Sequence, residues 1–218
     1  MIVDNFEQIK QLLTFKSEDE FYHLQILKRK KDCPEHERAR NNNARCVKTY
    51  YIKNIEYLES KKSEIIGLCE MFNARAYINL NTKSFEKAAL QLTKETVNRI
   101  IFKQYEHVYR AYETVVGAKE SNVGDKRWII DVDEKNMELV SKTIYEITKC
   151  QSNRPKIGES TSGIPVYQNT IALIPTVNGY HIITHPFNLK QIEPFKALHP
   201  FDIQKNNPTL LYFNKKEE

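Results

Sequence analysis

The sequence predicts an α+β protein: an N-terminal, mainly helical αβ lobe with short strands over residues 1–124, a split βαβ module over 125–214, and a charged tail at 215–218. Three observations carry this. Apolar residues recur at three- and four-residue intervals through much of the first half, as on one helix face. From Lys126 onward, β-rich runs alternate with single helical stretches. Two of these runs, IALIPT and YHIITH, are separated by Val177-Asn178-Gly179, and Asn-Gly between apolar runs is a hairpin signal.

Taken in order, residues 4–14 and 18–31 read as helices. The second is introduced by Ser17, with Glu18, Asp19 and Glu20 in its first turn, which suits a cap and the helix dipole. DCPEHERARNNNAR reads as a loop, and VKTYYIK (47–53) as a short strand. Residues 56–72 read as a helix with Leu58, Ile65, Leu68 and Phe72 toward a core, and ARAYINL (74–80) as a strand. A long helix is expected from Ser84 to about Val116. Its stripe of Val97, Ile101, Tyr105, Val108, Tyr112 and Val115 is expected to pack in the core.

In the second module, WIIDVD is a strand and 135–149 a helix with Met137, Val140, Ile144 and Ile147 on one face. A polar connection, 151–169, carries Arg154 and Lys156, which face either a phosphate or solvent. The hairpin follows, then a short helix over 188–198 interrupted by Pro194, and a last strand TLLYF at 209–213. Strand, helix, strand, strand, helix, strand is the ferredoxin-like or RRM-like order. It places the first and third strands side by side at the centre of an antiparallel sheet, with both helices on one face.

As a strand, WIIDVDE puts Trp128, Ile130 and Val132 on one side and Ile129, Asp131 and Asp133 on the other. Paired aspartates are disfavoured inside a strand and costly to bury unpaired, so they face a divalent cation or solvent. The topology makes His181, on the third strand, a neighbour of Asp131 and Asp133. Asp202 supplies a further carboxylate just before the last strand. Carboxylates in this arrangement suit hard cations and phosphoryl or nucleotidyl transfer.

The chain carries a net charge of +5, which permits an anionic partner. Lys28, Arg29, Lys30 and Lys31, followed by Arg38, Arg40, Arg45, Lys48 and Lys53, form either a solvated helix end and loop or a phosphate-backbone surface. Cys33, Cys46, Cys69 and Cys150 are scattered without a C-x-x-C pair. Cys33 and His36 with Cys46 beyond match no common zinc spacing, so reduced thiols are expected. No apolar stretch is long enough for a bilayer, and the amphipathic, acid-containing start is unlike a secretory signal. A cytoplasmic protein without membrane association is expected.

Three short motifs occur in order: Ile130-Asp131-Val132-Asp133, Gly179-Tyr180-His181 and Phe201-Asp202. Over 126–213 the chain resembles the catalytic core of archaeo-eukaryotic primases and primase-polymerases. The resemblance implies a metal-dependent nucleotidyltransferase that joins nucleoside triphosphates on a DNA or RNA template. It implies Mg²⁺ or Mn²⁺ at Asp131, Asp133 and Asp202, and nucleotide phosphate at His181. Gly179 occupies the small position where serine is common. Arg75 is expected either near the same cleft, where it would bind nucleotide, or in a surface salt bridge. The length leaves no room for a helicase or zinc-binding primase module, as in a stand-alone phage or mobile-element version.

Two other readings use the same scaffold. A non-catalytic single-stranded nucleic-acid-binding protein would usually carry aromatics on the open sheet face, where the first strand offers none. A metal-dependent nuclease would draw on His181 and His185, but on a strand these lie about 13 Å apart, too far to share one ion.

Overall fold

The computed structural model describes residues 1–32, 44–160 and 163–214. The chain forms two compact units. The first comprises Met1–Gly124 together with the chain from Leu210 onward, and the second Asp125–Thr209. Among the described residues no helix is long and apolar enough to cross a membrane.

The first unit is built on a six-stranded sheet. Its strands are β1 (Ile2–Asp4), β2 (Glu20–Arg29), β3 (Ala44–Ile52), β4 (Arg75–Ile78), β5 (Lys83–Ser84) and, from the far end of the chain, β12 (Thr209–Asn214). The order is β1-β12-β4-β2-β3, with β5 on the start of β2. Helix α1 (Phe6–Lys10) follows β1. Helix α2 (Ile55–Phe72) starts at Asn54, whose side chain accepts from Tyr57 N–H, and buries Leu58 and Ile65. Of the other two residues expected inward, Leu68 is partly buried and Phe72 is exposed.

Residues 18–31, expected as a helix, contain β2, the longest strand of the sheet. The reason is pairing along both edges, with β3 and β4. Tyr22, Leu24 and Ile26 form one buried face, while Phe21 on the other packs with Ala88, Val115 and Val116. Tyr22, Leu24 and Ile26 alternate with His23 and Gln25 as in a strand, but Phe21, Leu24 and Leu27 also fall at three-residue intervals, which imitates a helix face. The lobe's helices are therefore accompanied by a sheet whose strands β2 and β3 are long rather than short.

The long helix expected over 84–116 is two helices, α3 (Phe85–Ile101) and α4 (Ala111–Gly117), joined through a 3-10 segment at Tyr105–Arg110. Helix α3 ends in a Schellman arrangement. Gln104 N–H reaches Arg99 O at 2.8 Å, and Lys103 takes the left-handed conformation, φ 56°, that glycine usually fills. Without glycine or proline, the sequence carries no mark of this stop. Arg99 then ties the return, donating to His107 O and, at 3.2 Å, to Thr114 Oγ1. Of the expected core stripe only its C-terminal end is inside: Val115 is buried and Tyr112 packs against it, while Val97, Ile101 and Tyr105 are exposed.

The second unit contains a four-stranded antiparallel sheet. Its strands are β6 (Trp128–Val132), β9 (Thr170–Pro175), β10 (Tyr180–Thr184) and β11 (Asp202–Gln204), in the order β11-β6-β10-β9. This is the split βαβ arrangement. Helices α5 (Met137–Lys149) and α6 (Leu189–Lys196) cover one face, where Leu139, Val140, Ile147 and Ile192 meet Ile130, Val132 and Ile182. Asn169 anchors the end of α5, its Nδ2 donating to Ile147 O and Cys150 O, each at 2.7 Å. The 151–169 connection carries a small hairpin, β7 (Lys156–Glu159) with β8 (Pro165–Tyr167).

TLLYF, expected as the last strand of this module, lies instead in β12 between β1 and β4. Leu210 to Phe213 are all buried, so the strand needs an interior seat. The place beside β6 is at the sheet's edge, and three-residue β11 fills it. The module expected over 125–214 thus closes at Thr209.

The first unit buries two titratable groups. Lys83 is fully inside, its Nζ donating to Ala118 O (2.9 Å), Asn122 Oδ1 (2.8 Å) and Ser121 Oγ (3.2 Å), and burial lowers its pKa to about 8 against the pull of Glu120. Burial, and secondarily the Lys83 charge, brings His23 down to about 4 from 6.5. The unfolded chain takes up a proton near 6.5 that the folded state refuses until about pH 4. This stability is complete above pH 6.5 and is lost as pH falls through that window, by about 3 kcal/mol. The urea midpoint should therefore fall between pH 7 and 4.5. It should fall less in His23→Gln; an equal drop in that variant would assign acid sensitivity elsewhere.

Candidate functional site

The register around β6 builds the site. Asp131 is paired across the strands with His181 of β10 on one side and Asp202 of β11 on the other. The three side chains form one row on the face away from α5 and α6. Behind this row Ile129, Ile174 and Ile183 are buried; at the row itself Asp131 is partly exposed and Asp202 exposed. Carboxylates directly opposite one another on neighbouring strands repel. Asp133 lies just past the end of β6 and is exposed, about 7 Å along the chain from Asp131.

Asp131 is held from two sides. Gln204 Nε2 donates to its Oδ2 at 3.1 Å, and His181 Nε2 lies 3.4 Å from its Oδ1. The other ring nitrogen of His181, Nδ1, is 2.8 Å from Thr209 Oγ1. Thr209 is fully buried and His181 nearly so. If Thr209 donates to Nδ1, the ring carries its proton on Nε2 and presents it toward Asp131. The ring therefore stands between a buried hydroxyl and a carboxylate.

Gly179 belongs to this site for a steric reason. The loop between β9 and β10, 176–179, closes with Thr176 N–H to Gly179 O at 2.9 Å, and Gly179 N–H donates to Thr176 Oγ1 at 3.1 Å. Its φ is not left-handed, so the Asn-Gly pair does not make the two-residue turn that the dipeptide suggests. Glycine is needed for space: a Cβ here would stand 1.9 Å from Val132 O and 2.7 Å from Glu134 N. The loop presses on the backbone between Asp131 and Asp133.

Arg75 lies in the first unit. It is buried, its Nε donates to Asp32 Oδ2 at 2.6 Å with a second bond to Oδ1, and its guanidinium lies 4.5 Å from the centre of the Phe213 ring. Burial opposes its charge, yet the bonds to Asp32 leave its pKa raised. Its ionic partner is thus internal.

Arg154 pairs with Asp125 at 3.2 Å. Together with burial, its charge holds the nearby His185 below the usual imidazole range. Gln204 and Thr209 were not anticipated from the sequence. Gln204 would have followed from Asp202 had a strand been placed there, since residues two apart share a face. Thr209 carries no local signal.

Among the described residues no three or more His, Cys, Asp or Glu side chains are grouped closely enough to hold a metal ion by themselves. Cys33 and His36 lie outside the described residues; Cys46 is exposed and free.

Gly179→Ala should cost at least about 2 kcal/mol, because the obstruction is backbone rather than a movable side chain. A thermal midpoint equal to that of the parent would show that the loop can withdraw. Thr209→Val keeps shape but strips Nδ1 of its partner, an expected loss of about 1–3 kcal/mol. It should also shift the His181 imidazole ¹⁵N resonances; unchanged resonances would mean that Thr209 does not orient the ring.

Compared with protein-family models, with curated proteins and with solved structures, the chain matches none.

Proposed function

We propose that the second unit is the catalytic core of a metal-dependent nucleotidyltransferase of primase-polymerase type, which joins nucleotides on a nucleic-acid template. One observation carries this reading: β10 and β11 flank β6 in a register that sets His181 and Asp202 on either side of Asp131. A row of two facing carboxylates has a use for a cation between them. Its donors are hard oxygens, which suit Mg²⁺ or Mn²⁺. Magnesium is commonly held by one or two carboxylates plus substrate phosphates, so a protein set of fewer than three close ligands fits a site completed by a triphosphate.

In this reading Asp131 and Asp202 would hold the ion, and Asp133, at the exposed end of β6 and outside that close pair, would reach it through water. When bound, such an ion supplies the Lewis acidity that activates an attacking hydroxyl and stabilises the leaving oxygen. His181 Nε2 faces Asp131. It would turn to a nucleotide phosphate once Asp131 takes the ion, with Thr209 holding Nδ1 throughout. Gln204 keeps the Asp131 carboxylate from rotating. Gly179 lets the β9–β10 loop approach β6, so its role is to shape the site.

The test is primer extension, and initiation without a primer, by the purified chain with Mn²⁺ or Mg²⁺ and either NTPs or dNTPs. Asp131→Asn should lower the rate by more than about 100-fold, since loss of groups that merely support metal ligands already costs 10–100-fold. His181→Ala should act mainly by raising KM for nucleotide. Full activity in Asp131→Asn would end this assignment. A wild-type chain that binds single strands in chelator but never extends them would favour a non-catalytic binding protein.

A further inference from the structure

The segment that ends α3 and leads to α4 exposes far more ring surface than packing explains. Ile101 is 66% exposed, Phe102 71%, Tyr105 61% and Tyr109 72%. Four large apolar side chains exposed within nine residues are the composition of an interaction surface. Cations are interleaved with the rings: Lys103 stands between Phe102 and Tyr105, and the Arg110 guanidinium lies 5.1 Å from the centre of the Tyr109 ring. Arg99 is paired with Glu95 at 2.8 Å, which leaves Lys103 and Arg110 against Glu106 over residues 100–110, a net charge of +1 with His107 neutral.

The backbone adds an independent observation. Lys103 occupies the left-handed position of the α3 stop, where glycine would be the least strained residue. A lysine there accepts local strain and places a charge beside two exposed rings. Protein–protein interface cores are depleted in lysine and other charges. Alternating rings and cations are instead the composition of surfaces that stack bases and neutralise phosphates.

We propose that Phe102, Lys103, Tyr105, Tyr109 and Arg110 form a binding surface for a single nucleic-acid strand, with bases stacked on the rings and phosphates against the two cations. The surface gives the proposed nucleotidyltransferase a contact with its template, and in that respect it rests on the reading above. Binding itself requires neither the carboxylates nor a metal, so the two ideas fail separately.

The experiment measures affinity for a fluorescent oligo(dT) and for an abasic oligomer of equal length, in chelator, across a salt series, using the Asp131→Asn chain. Tyr105→Ala and Tyr109→Ala alter exposed side chains and should leave the thermal midpoint unchanged. Each should weaken oligo(dT) by about fivefold or more and leave the abasic oligomer unaffected. Lys103→Gly should keep or raise the thermal midpoint, and should flatten the slope of log K against log salt by about 0.7. Unchanged oligo(dT) affinity in both tyrosine variants would overturn the proposal. So would a wild-type dimer in solution that Tyr109→Ala converts to monomer with binding unaltered, which would make the surface a contact between copies. A chain that binds in this pattern but never extends a primer leaves the surface standing and removes the catalytic reading.

Discussion

The register of β6 between β10 and β11 is the constraint on which the rest of the second unit depends. Side chains on a strand alternate between faces, so a slip of one residue would send Asp131 toward the helices and Ile130 toward the polar row. The slip is prevented from the apolar side, where Ile130, Val132 and Ile182 are fully buried against α5 and α6. The β9–β10 loop acts in the same direction, because only glycine fits where residue 179 meets the Val132 carbonyl. Core packing and a steric contact thus position a set of polar groups with which neither shares any chemistry.

Those polar groups are arranged to remain distinct. Asp131 faces an imidazole on one side and a carboxylate on the other, with Gln204 on its second oxygen. Hydrogen bonds made inside a protein to a partly buried carboxylate resist rotation, and a buried hydroxyl at His181 Nδ1 limits the ring in the same way. Asp202, exposed at a three-residue edge strand, is the member held least firmly. A site with two restrained groups and one adaptable carboxylate is well suited to a ligand that arrives with its own oxygens. This is the physical sense of the proposed triphosphate-completed cation site.

The first unit solves a different problem. Its sheet is covered by α2 on one face, and around Phe21 of β2 by α3 and α4 on the other, while β12 is buried from Thr209 to Phe213. Lys83 gathers the end of α4 and the turn after it by donating to Ala118 O, Ser121 Oγ and Asn122 Oδ1, while Ser121 Oγ adds its own bonds to Val115 O and Ala118 O. The return of α4 along α3 leaves the end of α3 and the following turn projecting into solvent. Rings that periodicity assigns to a core are on the surface because the helix stops at Lys103 before they reach one.

Local pattern was enough for the α+β class, for α2, α5 and α6, and for β3, β4 and β6; the β9–β10 pair was legible from its two apolar runs, though not from the turn type that Asn-Gly suggests. The strand-helix-strand-strand-helix part of the split βαβ order followed from the sequence of elements, and with it the expectation that Asp131 and His181 are neighbours; the fourth strand expected at 209–213 is instead β11. Long-range contacts decided the remainder. Residues 20–29 are a strand because β3 and β4 pair with it along both edges, which outweighs the helical spacing of Phe21, Leu24 and Leu27. Residues 209–214 pair with β1, at the other end of the chain, and β11 takes the edge beside β6. Gln204, Thr209 and the space left by Gly179 acquire meaning only once those strands are in place. The sequence determined which polar and titratable residues the strands carry; tertiary pairing decided which of them meet, because register depends on partners hundreds of atoms away along the chain.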